Sequence, residues 1–340
     1  MSSNSIAEWF KLSDTTKKNI FDQTSLKVKL PPVAVEKDWW VVNTLKLVFS
    51  LSCAEHLVFK GGTSLSKAWS IIERFSEDID LALSKELLGF TGVLSKSKVK
   101  RLREASCKFI AEDFFGELQK AFEQSGFQGV ELKVIDRNTD DTDPIKIEVA
   151  YTSLLDTNPY LQSRVIIEVG SRSLMDPHTA RSFNSFVSEQ FKDKPFATAE
   201  ITIPVVNPER TLLEKIFLLH EEFQNAADKI KIERMSRHHY DIAKLMKTEF
   251  ARIALTDSGL YSTIVEHRKQ INFLNYVDYT KHERGKLNIV PPDDIVAAWE
   301  KDYNQMKENM IYGDAPSFKV LMEEISKINA AINETKSEGK

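Results

Sequence analysis

The first residues that could do chemistry are two aspartates in a predicted strand. Asp78 and Asp80 lie two positions apart in the segment 78–83, whose alternating pattern is typical of a half-buried strand. Side chains with this spacing share one face, so both carboxylates are expected to point the same way. Like charges side by side are unfavourable unless a cation lies between them, and Mg²⁺ takes one or two carboxylates together with phosphate oxygens. The pair therefore predicts metal-assisted phosphoryl or nucleotidyl transfer.

A glycine turn precedes these aspartates. The apolar run 57–59 leads to Gly61-Gly62, and glycine permits a positive φ and a close approach of the backbone to a ligand. Thr63 and Ser64 are predicted to cap a helix that continues through Leu65, Ala68, Trp69 and Ile72. The free N–H groups at a helix start suit a phosphate. Each motif alone is usually a turn or a solvated strand end, but their order along the chain indicates a nucleotide site.

A third carboxylate is expected on a later strand. Three further segments alternate as strands, with turns at 138–144 and at Asn158-Pro159; the strands are 131–136, 145–151 and 164–170. Glu168 lies among the apolar residues of the last strand, where an acid is costly to bury unless it is paired or binds a cation. Glu168 is thus predicted to complete a two-metal site, and Glu148, in a similar apolar strand, is the alternative.

A clear helix start follows residue 206. Asn207 is a good N-cap, Pro208 suits the first helical position, and Glu209 is the acid of the first turn. Lys215 lies next to the apolar stripe of this helix, as a surface lysine with a buried stem would. A later helix is predicted after Ser236, and its adjacent histidines at 238 and 239 project in different directions, which disfavours a zinc site.

These motifs resemble those of a known family. Lys60-Gly-Gly-Thr-Ser-Leu-Ser followed by Arg74-Phe-Ser-Glu-Asp-Ile-Asp-Leu resembles the first motif of DNA polymerase β-like nucleotidyltransferases. More narrowly, it resembles the AbiEii toxins of bacterial abortive-infection and toxin–antitoxin systems. The Pro-Glu-Arg-Thr…Glu-Lys motif at 208–215, the Arg-His-x-Tyr-Asp motif at 237–241 and the segment 303–313 resemble later parts of the same family. Gly170-Ser-Arg-Ser also resembles it, which favours Glu168 over Glu148.

The resemblance implies a set of functional residues. It implies metal ligation by Asp78, Asp80 and Glu168, with Lys215 and Asp241 as further catalytic residues. The implied nucleotide-binding residues are Lys60, Gly61, Gly62, Thr63, Ser64, Arg74, Ser76, Arg210, Lys215, Arg237 and His239. The expected cofactor is Mg²⁺, with Mn²⁺ as the alternative, and the expected substrate is an NTP.

Composition limits the class of protein. The chain has 340 residues, 42% hydrophobic and 28% charged, as is typical of a globular protein. It contains no apolar run of the roughly 18 residues that a membrane helix needs. Two cysteines without metal-ligand spacing favour a reducing, cytoplasmic location. With a net charge of −4, any RNA must meet a local basic patch, and the basic segment 94–108 is either such a contact or a solvated helix face.

The predicted fold is α/β (α+β), with a polymerase β-like nucleotidyltransferase core built on a mixed sheet and a mainly helical C-terminal lobe. Residues 1–36 are expected to form an N-terminal arm, residues 37–206 the core with a helical insertion at about 94–125, and residues 207–330 the helical lobe.

The resemblance implies a growth-inhibiting toxin that has a cognate AbiEi-like antitoxin. The expected reaction transfers a nucleoside monophosphate from an NTP to an acceptor hydroxyl, with the 3′ end of tRNA as the favoured acceptor. The alternatives are a protein or small-molecule acceptor, and a non-catalytic protein that binds a nucleotide or a partner.

Overall fold

A mixed β-sheet organises the N-terminal part of the chain. The computed structural model describes residues 3–76, 78–156 and 161–334, and the turn expected at Asn158-Pro159 lies outside these ranges. The chain divides into two compact units. We call Met1–Ala68 with Phe75–Val206 the sheet unit, and Trp69–Arg74 with Asn207–Lys340 the helical unit.

The sheet has seven strands in the order β3-β4-β5-β2-β1-β7-β6 within the described residues. The strands are β1 Leu57–Lys60, β2 Ile79–Leu83, β3 Val130–Ile135, β4 Ile145–Tyr151, β5 Arg164–Gly170, β6 His178–Phe183 and β7 Ile201–Val206. The pairs β2–β5 and β1–β7 are parallel, and the other neighbours are antiparallel. This mixed sheet with its surrounding helices confirms the predicted fold class.

Helices cover the sheet and supply its core contacts. In the sheet unit they are α1 Ser3–Lys11, α2 Asp14–Val28, α3 Pro32–Val48, α4 Gly61–Lys67, α5 Lys96–Phe109, α6 Phe115–Gln124 and α7 Phe186–Gln190. α3 begins with Pro32, whose fixed φ suits a first helical turn, and its residues from Ala34 to Val48 are all buried. Trp39 and Trp40 pack against other rings in this core, as expected for structural tryptophans.

The N-terminal residues do more than form an arm. Ile6 and Trp9 of α1, and Ile20 and Phe21 of α2, are all buried. Trp9 stacks on Trp39 with ring centroids 4.9 Å apart. These apolar residues are spaced so that each helix presents one face to the core, which places α1 and α2 inside the sheet unit.

The helical unit contains six α-helices among the described residues. They are α8 Pro208–Glu222, α9 Arg237–Leu245, α10 Glu249–Thr256, α11 Ser258–His267, α12 Val296–Asn309 and α13 Phe318–Glu334. Segment 69–74 belongs to this unit because it pairs with residues 311–313. Arg74 forms a β-bridge with Ile311, and the Glu73 carbonyl accepts hydrogen bonds from the N–H groups of Tyr312 and Gly313 over 3.0 and 3.3 Å.

The helix after the glycine turn is shorter than its apolar pattern predicts. α4 begins at Gly61 with Lys60 at the N-cap position and ends at Lys67, so Thr63 and Ser64 are inside it and do not cap it. The positive φ of Ser70, 54°, is incompatible with a continuing helix. Trp69 packs instead against Phe250 in the helical unit, with ring centroids 5.3 Å apart. None of the described helices combines the length and apolar character needed to cross a bilayer.

Candidate active site

Four charged residues form a row across the middle of the sheet. In register, Lys60 of β1 pairs with Asp80 of β2, Asp80 with Glu168 of β5, and Glu168 with Lys146 of β4. Residues directly opposite on neighbouring strands carry their side chains on the same face. The two carboxylates therefore lie side by side with a lysine on either side, and we call these four residues the carboxylate row.

The carboxylate row holds its negative charges at an electrostatic cost. Burial raises the pKa of Glu168, and the neighbouring Asp80 charge raises it further, while Lys146 and Lys60 act in the opposite direction. Lys146 Nζ lies 3.4 Å from Glu168 Oε1, which is a loose ion pair. The site thus carries negative charge that a divalent cation would stabilise.

Asp78 lies directly before the first residue of β2 and is half-buried. That its carboxylate shares a face with that of Asp80 stays a prediction. Across the part of the chain that the structure describes, no three histidine, cysteine or acidic side chains are grouped so as to hold a metal ion. The structure therefore brings together Asp80 and Glu168, and metal ligation by Asp78 together with these two acids stays a prediction.

Glu148, the alternative third acid, is already neutralised. Its carboxylate pairs with Lys133 Nζ over 2.8 Å and with Arg164 Nη1 over 2.5 Å. Burial opposes ionisation, but these two cations outweigh it and hold the pKa of Glu148 below its usual value. Glu148 and Glu168 thus differ clearly: Glu148 is a buried acid paired with two cations, and Glu168 is a half-buried acid next to a second acid.

The glycine turn packs directly against the carboxylate row. Gly61 has a φ of 82°, and a Cβ at this position would overlap the Asp80 carboxylate. Close approach of the backbone to Asp80 is therefore the reason for glycine here. Thr63 Oγ1 donates to Ser76 Oγ over 3.0 Å, and Ser64 Oγ donates to the Gly61 carbonyl over 2.9 Å. Both hydroxyls are buried and fix the turn internally.

We expect Gly61→Ala to reduce nucleotide transfer more than a glycine-to-alanine change that only strains the backbone. The new methyl group must displace the Asp80 carboxylate, so nucleotide transfer should fall at least about 10²-fold, as after loss of a preorganised active-site group. Gly89→Ala is the matched control, because Gly89 has a similar φ of 79° but nothing within 4 Å of an added Cβ. Both variants should lose about 1–2 kcal/mol of stability from the left-handed backbone. Equal transfer rates in the two variants would contradict this reading.

A buried ion cluster lies in the helical unit. Arg74 donates to both oxygens of Asp241, from Nε over 2.7 Å and from Nη2 over 2.8 Å. Lys215 Nζ lies 2.9 Å from Asp241 Oδ2, and 3.4 Å from His238 Nδ1. The Asp241 side chain is 0% exposed, and those of Arg74 and Lys215 are 2% and 9% exposed. Two cations thus share the Asp241 carboxylate.

The cluster fixes the charge states of its members. Burial opposes ionisation of Asp241, but the Arg74 guanidinium and then the Lys215 ammonium outweigh it and hold the Asp241 pKa far below its usual range. Burial lowers the pKa of His238, and the Lys215 and Arg237 charges lower it further. His238 is therefore neutral, and its Nδ1 can accept a hydrogen bond from Lys215. The geometry gives Asp241 a positioning role, since it orients Arg74 and Lys215.

Two implied nucleotide-binding residues, His239 and Arg210, are buried and contact other residues of the helical unit. His239 is fully buried, with Nε2 2.7 Å from the Ile289 carbonyl and Nδ1 accepting from Trp299 Nε1 over 2.9 Å. Burial lowers the pKa of His239 to about 4, so both ring nitrogens are used by the core in the neutral state. Arg210 is also fully buried and pairs with Glu214 over 2.9 Å. Arg237, by contrast, is half-buried at the first turn of α9.

Sequence reasoning missed Lys146 and His238. Lys146 stands two residues before Glu148 on β4, so its position on the polar face is visible in the sequence. Lys146 lies opposite Glu168 because β4 and β5 are neighbours in the sheet, and the alternation of residues within one strand does not reveal the strand order. The Gly170-Ser-Arg segment that favoured Glu168 has a supporting role: Ser171 Oγ donates to Asp143 over 2.8 Å.

Comparison with known proteins identifies the family of the chain. No curated protein matches the chain. The family model described as "Nucleotidyl transferase AbiEii toxin, Type IV TA system" matches residues 49–324 of the 340. The match includes the carboxylate row, the glycine turn and the ion cluster. The chain therefore belongs to the AbiEii family of nucleotidyl transferase toxins from type IV toxin–antitoxin systems.

Proposed function

We propose that the protein transfers a nucleoside monophosphate from an NTP to the 3′ end of tRNA and releases pyrophosphate. The observation that carries the proposal is the pairing of Asp80 with Glu168 on adjacent parallel strands beside the Gly61 turn. Attack by the acceptor hydroxyl on the α-phosphorus forms one P–O bond and breaks the bond to pyrophosphate. Such a reaction relies mainly on positioning and charge neutralisation.

The donor set fits a magnesium ion. Mg²⁺ prefers one or two carboxylates together with phosphate oxygens, so the pair Asp80 and Glu168 is sufficient without a third protein acid. When bound, the ion would neutralise the carboxylates and polarise the phosphate oxygens. Asp78, directly before β2, is the proposed additional ligand. Lys60, in register with Asp80, would offset negative charge on the phosphates, and Gly61 and Gly62 would allow their close approach.

For the helical unit by itself, we propose that its cluster of cations binds phosphate. Arg74 and Lys215 each bring a positive charge to the cluster, and the family resemblance implies that they bind an anionic nucleotide phosphate. Arg237 contributes to the same positive potential, since its charge lowers the pKa of both Lys215 and His238. Asp241 would hold Arg74 and Lys215 in place for that anion.

Membership of a type IV toxin–antitoxin family implies an antitoxin partner. We propose an AbiEi-like protein as this partner and the cytoplasm as the site of action. The two cysteines, Cys53 and Cys107, are both free and buried, which is typical of a reducing compartment.

Labelled NTPs provide the direct test. The full-length protein is incubated with each labelled NTP, Mg²⁺ and total RNA, and label in the tRNA band is expected for at least one NTP. Asp80→Ala should abolish this label, because one of the two acids that neighbour each other across β2 and β5 is lost. Label on protein instead of RNA would show that the acceptor is a protein hydroxyl and not tRNA. Absence of label with every NTP would favour a non-catalytic protein that binds a nucleotide or a partner.

The basic helix α5 tests the tRNA part of the proposal. Val99, Leu102 and Ser106 are buried, so the opposite side of α5 faces solvent. Lys98, Arg101 and Lys108 lie on that exposed side. If they contact RNA phosphates, replacing all three with serine should weaken tRNA binding about tenfold or more at low salt. The slope of log affinity against log salt should fall by about 2–3.

The control removes the same charge elsewhere on the sheet unit. Lys18, Lys27 and Lys194 are all exposed, and their replacement with serine should leave the salt slope unchanged. Equal losses of tRNA affinity in the two triple variants would show that the protein attracts RNA through its overall charge and not through α5. Unchanged binding in the α5 variant would exclude α5 as the RNA surface.

A further inference from the structure

A cavity of about 810 Å³ lies in the sheet unit, behind the carboxylate row. Ile201 and Ile203 of β7 line it. These two residues share a strand face with Val205, and Val205 is in register with Phe59 of β1. Phe59 points to one face of the sheet, and its neighbour Lys60 points to the opposite face. The cavity is therefore on the other side of the sheet from Asp80 and Glu168. Its volume is within the roughly 300–1,000 Å³ of small-molecule sites.

A buried lysine amine lies at the cavity wall. Lys46 of α3 is 7% exposed, and its Nζ donates to Asn184 Oδ1 over 2.9 Å and to Thr198 Oγ1. Both acceptors are neutral. The nearby carboxylate of Asp38 is taken by Lys67, whose Nζ is 2.7 Å away. Among the residues that the structure describes, no carboxylate lies within ion-pair distance of Lys46.

An uncompensated amine in this place is costly. A buried cation is stable only when it is paired or well solvated by polar groups. Burial lowers the pKa of Lys46 to about 7, since the opposing effect of Asp38 is too weak and Lys67 adds to the lowering. An anion that entered the cavity would supply the missing charge and stabilise the ammonium form.

The remaining lining narrows the class of anion. Ile6, Phe49, Ile201 and Ile203 offer an apolar wall beside the polar groups around Lys46. The single Lys46 amine can neutralise one negative charge. The carboxyl of Glu189, which also lines the cavity, would repel a dianion such as phosphate more strongly than a monoanion. We propose that this cavity binds a monocarboxylate with an apolar chain, whose head group pairs with the Lys46 ammonium and whose chain packs against the apolar wall.

Calorimetry with octanoate on the full-length protein tests this site. Octanoate should bind and raise the unfolding temperature, whereas octanol and inorganic phosphate should each bind at least about tenfold more weakly. Lys46→Met should weaken octanoate binding at least about tenfold, and Ala197→Phe, which fills the cavity without changing Lys46, should do the same. Lys192→Met removes an exposed amine from the lining and should change affinity less than about twofold.

The unaltered protein gives a second measurement that does not depend on a variant folding. Octanoate should slow reductive methylation of Lys46 at least about fivefold, as its occupied pocket excludes the reagent, and leave Lys192 unaffected. Absence of octanoate binding up to about 10 mM, full affinity in Lys46→Met, or binding without protection of Lys46 would each overturn the proposal. None of these measurements requires nucleotide transfer, so the two proposals fail independently.

Discussion

Glutamine in place of Glu168 should abolish nucleotide transfer without loss of stability. The amide keeps the size of the side chain but removes one of the two neighbouring negative charges, so the site should no longer hold a divalent cation. We expect the transfer rate to fall on the order of 10²–10³-fold, as after removal of one preorganised charged group from an active site. Because Asp80 and burial both disfavour the charged form of Glu168, the unfolding temperature should stay the same or rise.

Glu148→Gln is the matched control and should show the opposite pattern. Glu148 sits on the next strand and its carboxylate is paired with Lys133 and Arg164, so its loss should cost about 1–2 kcal/mol of stability. Transfer of labelled nucleotide should remain within a few-fold of the unmodified protein. Thermal unfolding and transfer rate measured on both variants distinguish the two acids. Normal transfer by Glu168→Gln would show that the carboxylate pair is not the catalytic centre.

Asp241→Asn should destabilise the protein strongly. The change removes the carboxylate that the buried guanidinium of Arg74 and the buried ammonium of Lys215 share. Breaking a buried ion pair from one side costs on the order of 3–5 kcal/mol, which denaturant unfolding would detect at pH 7. Lys215→Met is the comparison: it leaves Arg74 paired with Asp241, so we expect a much smaller loss of stability, while nucleotide transfer should still fall.

The pH dependence gives a further check on Asp241. Its pKa in the folded protein is far below the value of about 3.9 for an unfolded chain, so its contribution to stability is present above pH 4. That contribution is lost progressively as the pH falls below about 4. The stability difference between the unmodified protein and Asp241→Asn should therefore shrink on acidification. A constant difference, or equal stability at pH 7, would contradict the assigned positioning role.

Local patterns predicted much of the sheet and the acidic part of the site. Alternation placed Asp80 and Glu168 on strands, the cost of burying an acid pointed to Glu168 or Glu148, and the family resemblance of the segment after Gly170 favoured Glu168. The alternating pattern did not predict the role of a residue where that role depends on contacts between distant segments. Glu148 has the same apolar surroundings as Glu168, and only the strand order reveals that Lys133 and Arg164 neutralise it. Likewise, α4 ends early because Ser70 turns the backbone and Trp69 packs elsewhere.

Roles of buried polar residues were the hardest to predict. His239 follows a motif arginine closely, yet its two ring nitrogens are engaged by Trp299 and the Ile289 carbonyl, both distant in sequence. Lys46 belongs to no recognisable motif, and its amine donates hydrogen bonds to Asn184 and Thr198, which are distant in sequence. The contacts of these side chains are with residues 50 to 152 positions away, and spacing within one segment does not predict such contacts.

The membership of segment 69–74 in the helical unit limits how the polypeptide can be divided. A truncated chain that starts at Asn207 would lack the strand partner of Ile311 and the guanidinium that holds Asp241. A chimaera with a relative must therefore exchange this short segment together with the C-terminal portion. During translation, Arg74 leaves the ribosome long before Ile311 is made, so the bridge between these two residues can form only after residues 207–310 have been synthesised.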